Sequence, residues 1–310
     1  MRTGVIKGMG SALPEQVLTN ADLEKLADTN DEWIVERTGI RERRIGGMTS
    51  TLSVEAGRLA LERSGVDPAS IELLVLATTT PDQLVPATAS VVQDQLGLRC
   101  GAFDVNAACS GFTYGLVAAQ GMIGMGVGNI LVIGCDTLSR ITDYTERGTG
   151  ILFADGAGAV VVAAEDRPAP ALLGWDLGSD GSAAGILYAD LGSTLVMDGK
   201  EVFRRAVRVM VDSATKTLDM AGVTTDDIAL VVPHQANIRI ISSAMGRLGL
   251  PMERASINLD RVGNTSSGSI PMALDEAHRD GRITPGDLVL LVGFGAGMTW
   301  ASALLRWDGA

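Results

Sequence analysis

The longest uncharged stretch of the sequence, at positions 105–135, constrains the fold more than any other feature. It is long enough to cross a bilayer, but it contains seven glycines and three amide side chains, a composition that does not suit a lipid-facing helix. Buried helices and strands of α/β proteins are also continuous apolar runs. The stretch therefore predicts a helix and a strand inside an α/β core and argues against a membrane protein.

Composition excludes several other classes. Hydrophobic residues make up 46% of the 310 residues, which is enough for a packed core and excludes disorder as the main state. The formal net charge of −12 is the opposite of the basic footprint of a nucleic-acid binder. The N-terminus lacks the apolar segment of a secretory signal. The three cysteines are too few and too widely spaced for a disulfide framework or a zinc site, so we expect a cytoplasmic protein without a metal.

Short β-branched runs alternate with helical patterns, which predicts βα units on a largely parallel sheet. Predicted strands span 73–78, 101–105, 130–133, 157–163, 230–233 and 288–292, and predicted helices span 19–27, 53–64 and 201–221. A helix that stops at a glycine, a short polar turn and a strand recur at the same spacing after Gly65 and after Gly222. This repeat predicts two similar halves, residues 1–168 and residues 169–310.

The chain has only two histidines, which keeps the search for catalytic groups small. His278 lies in a charged helix end and is typical of a surface residue. His234 follows an apolar run and Pro233, so we place it at a strand end, where open α/β sheets have their sites. Position alone fits a site residue and a structural histidine equally well.

Cys109 lies between a predicted strand and the glycine-rich helix that follows it. A helix N-terminus lowers a thiol pKa from about 8.5 and favours the thiolate, whereas Cys100 and Cys135 fit inert buried positions. Asn264 lies in a turn of small polar residues, and segment 293–298 is rich in glycine. Cysteine, histidine and asparagine at three such junctions form a known nucleophile constellation, although the local papain signature is absent.

Three motifs at distant positions of the sequence together indicate one protein family. They are Ala108-Cys109-Ser110-Gly111-Phe112, Val232-Pro233-His234-Gln235-Ala236-Asn237 and Gly263-Asn264-Thr265-Ser266, with shorter matches beginning at Thr29, Asp143 and Gly293. In this order they resemble β-ketoacyl-acyl carrier protein synthase III, the initiating condensing enzyme of bacterial type II fatty acid synthesis, nearly from end to end. The resemblance implies the thiolase-like fold, an α/β fold whose duplicated halves form five αβαβα layers.

The resemblance also implies a decarboxylating Claisen condensation of an acyl-CoA primer with malonyl-acyl carrier protein. Cys109 would hold the acyl group as a thioester, while His234 and Asn264 would donate hydrogen bonds to the developing enolate. The backbone N–H groups of Cys109 and Ala296 would form a second oxyanion hole. No cofactor is implied, because acyl-CoA is a substrate, and the expected assembly is a homodimer.

Further roles follow from the resemblance position by position. CoA binding falls on Trp33, Arg37, Arg147 and Asn237, the acyl pocket on Val85 and Phe153, and carrier-protein binding on Gln235, Ala236, Asn237, Ile238, Arg239 and Arg247. The two arginines of the last set would share one helical face and give an acidic carrier a local basic patch.

Two departures from the family pattern concern the substrate. The stretch 181–202 is shorter than in typical members and carries Lys200 in place of a small polar residue, which bears on the CoA channel. Val85 stands where acetyl-preferring members carry a phenylalanine that plugs the partner subunit's acyl pocket, so we expect a deeper pocket. Two alternatives stay open: a starter-unit condensing enzyme of a polyketide or other secondary pathway, and a cysteine thioesterase, which would need an acid to activate water.

Overall fold

The computed structural model describes residues 1–309, which form two mixed β-sheets and the helices that cover them. The strands are β1 (Arg2–Ala12), β2 (Val17–Thr19), β3 (Glu42–Arg44), β4 (Ile71–Ala77), β5 (Gly101–Val105), β6 (Asn129–Thr137), β7 (Asp155–Asp166), β8 (Leu172–Ser179), β9 (Leu187–Tyr188), β10 (Val196–Met197), β11 (Ile228–Pro233), β12 (Leu288–Gly295) and β13 (Thr299–Arg306). The helices are α1 (Asn20–Leu23), α2 (Asp31–Thr38), α3 (Thr49–Ser64), α4 (Thr88–Gln95), α5 (Gly111–Gly124), α6 (Gly199–Ala221), α7 (Ile238–Arg247), α8 (Leu259–Val262) and α9 (Ser269–Arg279).

The first sheet has the strand order β1-β7-β6-β4-β5. β4 pairs in parallel with β5 and β6, whereas β7 pairs antiparallel with β6 and β1. α3 packs on one face of this sheet, and α5 and α9 pack on the other. Strands covered on both faces are continuous apolar runs, and the sequence predicts β4, β5, β6 and β7. It does not predict β1, whose sequence RTGVIKGMGSA includes three glycines.

The second sheet has the order β11-β12-β13-β8, and its outer face is covered by α6. Its inner face contacts α5 and α9, so these two helices lie between the sheets. The layers are therefore α3 with α4, the first sheet, α5 with α9, the second sheet, and α6 with α7. The predicted thiolase-like five-layer arrangement is confirmed.

The expectation of a largely parallel sheet was wrong. β12 and β13 are joined by the three residues 296–298 and pair antiparallel, because so short a connection cannot cross over a sheet. β13 also pairs antiparallel with β8, as β7 does with β1. Each sheet thus has a parallel part, which includes β4 or β11, and an antiparallel edge.

The uncharged stretch 105–135 supplies the end of β5, the whole of α5 and most of β6, as its composition predicts. None of the helices within residues 1–309 is both long and apolar enough to span a membrane. β7 ends at Asp166 and β8 begins at Leu172, so the predicted division after residue 168 falls in the connection between them.

Candidate active site

Cys109 lies in a tight turn between β5 and α5 and is 8% exposed. The preceding residue, Ala108, has a left-handed backbone with φ 48°, a conformation that costs energy in residues other than glycine and clusters at functional sites. Across the turn, a Cβ added to Gly295 would lie 2.6 Å from the backbone nitrogen of Cys109. A glycine is therefore required at the end of β12 for this strand to approach the cysteine so closely.

His234 follows β11 directly and is 1% exposed. Its backbone N–H donates to the carbonyl of Val292 at 2.8 Å, and its Nδ1 lies 2.7 Å from Oγ of Ser269. The ring of Phe294 meets the imidazole edge-on at 5.5 Å between centroids. Burial lowers the pKa of His234 to about 3, so the imidazole is neutral at physiological pH.

Asn264 lies between α8 and the short turn at 266–268 that precedes α9. Its backbone N–H donates to the carbonyl of Leu152, and its carbonyl accepts from the N–H of Ala154, both at 2.9 Å. Its side-chain oxygen accepts from the N–H of Ser266 at 2.9 Å. Because the oxygen is held in this way, the amide N–H₂ group is the end of the side chain that can donate to a ligand.

These three side chains line one cavity of about 720 Å³. The cysteine, histidine and asparagine are buried, whereas Arg37 and Arg239, which line the same cavity, are exposed. The cavity thus leads from a basic opening at the surface to the three buried groups.

Burial raises the pKa of the Cys109 thiol to about 12, although the nearby Ser266 hydroxyl acts in the opposite direction. In the free protein, burial shifts the thiol pKa in the direction opposite to that expected from the helix N-terminus. The resting site therefore contains a neutral thiol and a neutral imidazole.

A second cavity of about 390 Å³ also reaches Cys109 and Ala296. Its apolar lining includes Leu138, Ile141, Phe153, Leu187 and Leu195. Of these side chains, only Phe153 is predicted from the sequence. The missed pair Leu138 and Ile141 belongs to the turn directly after β6, and its position at a strand end is the signal that could have identified it.

Val85 lies outside both cavities of its own chain and is 81% exposed. The adjacent Leu84 is 77% exposed. The predicted role of Val85 concerns a partner subunit's pocket, and it stays a prediction.

The predicted CoA residues lie near the opening of the larger cavity. The guanidinium groups of Arg37 and Arg147 lie 5.4 and 5.2 Å from the centre of the Trp33 ring, within cation–π distance. The Asn237 side chain accepts from the N–H of Arg239 and so caps α7, and it donates to the carbonyl of Arg37 at 3.0 Å. One hydrogen of its amide nitrogen remains for a ligand.

Two residues of the predicted carrier-protein set must be corrected. Gln235 is fully buried; its Nε2 donates to the carbonyls of Pro233 and Ser256, and its Oε1 accepts from two backbone N–H groups. Ala236 is buried as well and lines the larger cavity. A docking protein cannot reach either residue, since a continuous apolar strand carries them into the core.

The rest of that set is accessible. Arg239 and Arg247 are exposed at the two ends of α7, and Asn237 and Ile238 are half-buried. Within residues 1–309 no group of histidine, cysteine and carboxylate side chains is arranged to hold a metal ion.

The fold and these groups define an acyl-transferring enzyme of the thiolase-like class. Residues 103–181 match the family model of 3-oxoacyl-[acyl-carrier-protein (ACP)] synthase III, and residues 218–307 match the model of its C-terminal part. The chain is 50% identical to the β-ketoacyl-[acyl-carrier-protein] synthase III of Roseiflexus sp. strain RS-1 over 97% of each chain. The chain belongs to the 3-oxoacyl-[acyl-carrier-protein] synthase III family.

Two solved structures show the same architecture. The chain superposes on 3-oxoacyl-[acyl-carrier-protein] synthase III from Aquifex aeolicus with a TM-score of 0.96 and 43% identity, covering 98% of this chain and 100% of that chain. It superposes on the priming β-ketosynthase of the R1128 polyketide biosynthetic pathway with a TM-score of 0.94 and 38% identity, covering 100% and 98% of the two chains.

Proposed function

We propose that this enzyme condenses an acyl-CoA primer with malonyl-acyl carrier protein and so initiates type II fatty acid synthesis. The observation that carries the proposal is that Cys109, His234 and Asn264 line one cavity with a neutral imidazole and an amide that can donate. These are a nucleophile and two hydrogen-bond donors, which is what a decarboxylating condensation requires.

In the first half-reaction, the sulfur of Cys109 forms a bond to the acyl carbon and the bond to the CoA sulfur breaks. The thiol proton ends on the departing CoA, so the exchange is balanced without a change in net charge. The developing oxyanion would be met by the backbone N–H groups of Cys109 and Ala296. The close approach of Gly295 to the Cys109 nitrogen supports this pairing, because it brings the end of β12 beside the turn.

In the second half-reaction, the malonyl group loses CO₂ and the resulting enolate attacks the cysteine thioester. The product leaves as β-ketoacyl-acyl carrier protein, and the cysteine sulfur takes a proton from solvent. His234 and Asn264 donate to the thioester oxygen as enolate charge develops, and such preorganised donors contribute about 3 kcal/mol each. Decarboxylation itself supplies the carbanion, so no carboxylate base is needed.

Ser269 sets the form of His234 that this step needs. The N–H of Gln235 donates to Oγ of Ser269 at 3.4 Å, and this Oγ lies 2.7 Å from Nδ1 of His234. In the proposed arrangement the serine hydroxyl donates to Nδ1. With Nδ1 acting as an acceptor, the hydrogen of the neutral ring resides on Nε2. The imidazole then donates to the substrate.

The two cavities divide the substrates between them. The apolar cavity would take the primer chain, while the larger one would admit CoA and the carrier's pantetheine past Trp33, Arg37, Arg147 and Asn237. The exposed Arg239 and Arg247 would attract the acidic carrier. We also place the enzyme in the cytoplasm as a homodimer, which agrees with three free thiols and with the exposed apolar pair Leu84 and Val85.

The direct test is incubation of the purified protein with an acyl-CoA and malonyl-acyl carrier protein, with the products measured by mass spectrometry. We expect a β-ketoacyl-carrier product longer than the primer by two carbons, together with CO₂ and free CoA. Release of free fatty acid from acyl-CoA without malonyl-carrier would instead identify a thioesterase. Condensation that requires a dedicated secondary-pathway carrier and fails with the fatty acid carrier would support a starter-unit enzyme.

A further inference from the structure

Asp136, near the end of β6, is fully buried and has no part in the chemistry described above. Its Oδ1 accepts from the hydroxyl of Thr78 at 3.1 Å, from the N–H and hydroxyl of Thr79 at 2.7 and 2.9 Å, and from the N–H and hydroxyl of Thr80 at 3.2 and 3.0 Å. Its Oδ2 accepts from the N–H and hydroxyl of Ser267 at 3.0 and 2.7 Å. Both oxygens are acceptors, as in a carboxylate.

This network connects the first sheet with the turn at 266–268, which contacts the site residues Asn264 and Cys109. Ser267 lies in the turn at 266–268, and the same turn holds Ser266, whose N–H orients the Asn264 amide and whose side chain lies beside the Cys109 thiol. The hydroxyl of Ser267 also lies 2.8 Å from the carbonyl of Ala77 at the end of β4. The position of Asn264 against Cys109 therefore depends on how Ser267 is held.

The backbone around the turn shows that it is pressed against the first sheet. A Cβ added to Gly134 of β6 would lie 2.2 Å from the carbonyl oxygen of Ser267, and one added to Gly268 would lie 2.6 Å from that of Gly156. Ser266 has φ 50°, a left-handed conformation that persists only where the surroundings enforce it. The carboxylate of Asp136 supplies the hydrogen bonds that enforce it.

We propose that Asp136 is a positioning residue for the condensation step, holding the turn at 266–268 so that the Asn264 amide points at the reacting thioester. This inference rests on the condensation proposed above. Burial is the chief cause of the raised pKa of the Cys109 thiol, and the negative charge of Asp136 acts in the same direction. His234, which lines the same cavity, is neutral. The charged side chains of that lining, Arg37, Asp198, Lys200 and Arg239, are all exposed.

The test is Asp136→Asn, which keeps the size of the side chain and removes its charge. The new amide places an N–H₂ group where one carboxylate oxygen accepted hydrogen bonds, so the turn at 266–268 must shift. We expect kcat for condensation to fall about 100-fold, because a displacement of about 1 Å can cause a loss of that size. Alkylation of Cys109 by iodoacetamide at pH 8 should become several-fold faster, because the neighbouring negative charge is gone. A merely structural loosening would also expose the fully buried Cys135 next to Asp136, so Cys135 must stay unlabelled and the melting temperature close to that of the wild type.

Asp104→Asn is the matched control. Asp104 anchors the backbone N–H groups of Thr88 and Ala89 at 2.9 and 2.8 Å on the same sheet, away from the turn. The Asp104→Asn variant should leave the alkylation rate of Cys109 and the ratio of condensation to self-acylation unchanged. If Asp136→Asn loses condensation and alkylation in parallel, or condenses at the wild-type rate, the inference is wrong.

A second variant covers the case in which Asp136→Asn does not fold. Ser267→Ala removes one hydroxyl from the network and leaves the carboxylate in place, so we expect condensation to fall while self-acylation persists. Equal loss of both half-reactions in this variant would overturn the positioning role. Absence of condensation by the wild-type enzyme would instead refute the proposed function, and the alkylation measurement would still report on Asp136 and Cys109.

Discussion

In the first half of the molecule, Gly65 caps the C-terminus of α3 and a single short turn leads to β4. In the second half, Gly222 caps the C-terminus of α6 and a single short turn leads to β11. Both glycines are left-handed, with φ 65° and 67°. The first residues of the two strands, Ile71 and Ile228, are each followed by a shift of register against the parallel neighbour. Because the halves share even these irregularities, they can be compared position by position.

The turns that precede the two inner helices are also alike. Ala108 and Ser266 have φ 48° and 50°, and each is the first residue of a short turn that leads into α5 or α9. The next residue is Cys109 in the first half and Ser267 in the second. Ser267 thus occupies the position that the nucleophile has in the other half.

The strand that faces each turn explains why only one of these positions suits the proposed nucleophile. The eighth residue of β12 is Gly295, which has no side chain to bind Cys109 and lets the strand backbone approach the Cys109 nitrogen closely. The eighth residue of β6 is Asp136, whose carboxylate binds the N–H and hydroxyl of Ser267. The two turns therefore share one backbone geometry. The turn that faces the glycine leaves the Cys109 side chain free of protein partners on that strand, whereas the turn that faces the carboxylate has its Ser267 side chain held by hydrogen bonds.

The largest expected effect comes from moving the nucleophile between the halves. Cys109→Ala should abolish both condensation and the gain of one acyl group in intact mass after incubation with a short acyl-CoA. Adding Ser267→Cys to that variant should not restore acylation, because position 267 is 1% exposed and held by Asp136. Peptide mapping of the acyl label checks this, and a label on position 267, on Cys100 or on Cys135 would contradict the comparison.

The donors of the second half should matter for only one half-reaction. His234→Ala and Asn264→Ala each remove a hydrogen bond to the enolate, so we expect each to slow malonyl decarboxylation by about 100- to 1000-fold. Self-acylation should survive in both variants, because Cys109 and the backbone N–H groups remain. Rapid-quench measurement of the two steps checks this. Condensation at the wild-type rate by Asn264→Ala would remove Asn264 from the site.

The open turn should not tolerate a side chain opposite the nucleophile. In Gly295→Ala the new methyl group would lie 2.6 Å from the Cys109 nitrogen, so the turn must move, and we expect both half-reactions to slow by about 10- to 100-fold. Gly121→Ala is the control, because position 121 is exposed on α5 and no atom lies within 4 Å of the added Cβ. That variant should gain about 0.5–1 kcal/mol in the free energy of unfolding and keep its activity, as thermal melts and the same assays would show.

The sequence predicts those features of the two halves that depend only on a few adjacent residues. The apolar run of β4, the glycine stops at Gly65 and Gly222 and the junction at Cys109 each depend on a few adjacent residues, and they are in the structure where the pattern predicts them. The positions of Cys109, His234 and Asn264 at three junctions already suggested a nucleophile constellation, but each residue alone also fits an ordinary structural role, and the resemblance made the assignment specific.

What the sequence does not reveal depends on contacts between distant segments. Asp136 and Ser267 are 131 positions apart, and nothing near either residue indicates that they are bonded. Gln235 belongs to a family motif, but only the fold shows that its amide donates hydrogen bonds to the carbonyls of Pro233 and Ser256 in the core. The raised pKa of Cys109 likewise follows from burial by both halves, a quantity that a local helix-terminus argument leaves out.

The smallest expected effect concerns primer choice and extends the comparison to a second copy of the chain. Val85 is 81% exposed, so a phenylalanine there would fill no space in its own subunit. It can act only on a partner's apolar cavity, where each extra buried methylene of primer contributes about 0.8 kcal/mol, or about fourfold in kcat/KM. We expect the wild type to favour primers longer than acetyl or branched ones, and Val85→Phe to shift the preference toward acetyl by a few-fold.

A series of primers from acetyl-CoA to dodecanoyl-CoA, including isobutyryl-CoA, measures this preference, and sedimentation checks that both proteins have the same oligomeric state. Strict preference of the wild type for acetyl-CoA, unchanged by the substitution, would show that Val85 does not set the depth of the pocket.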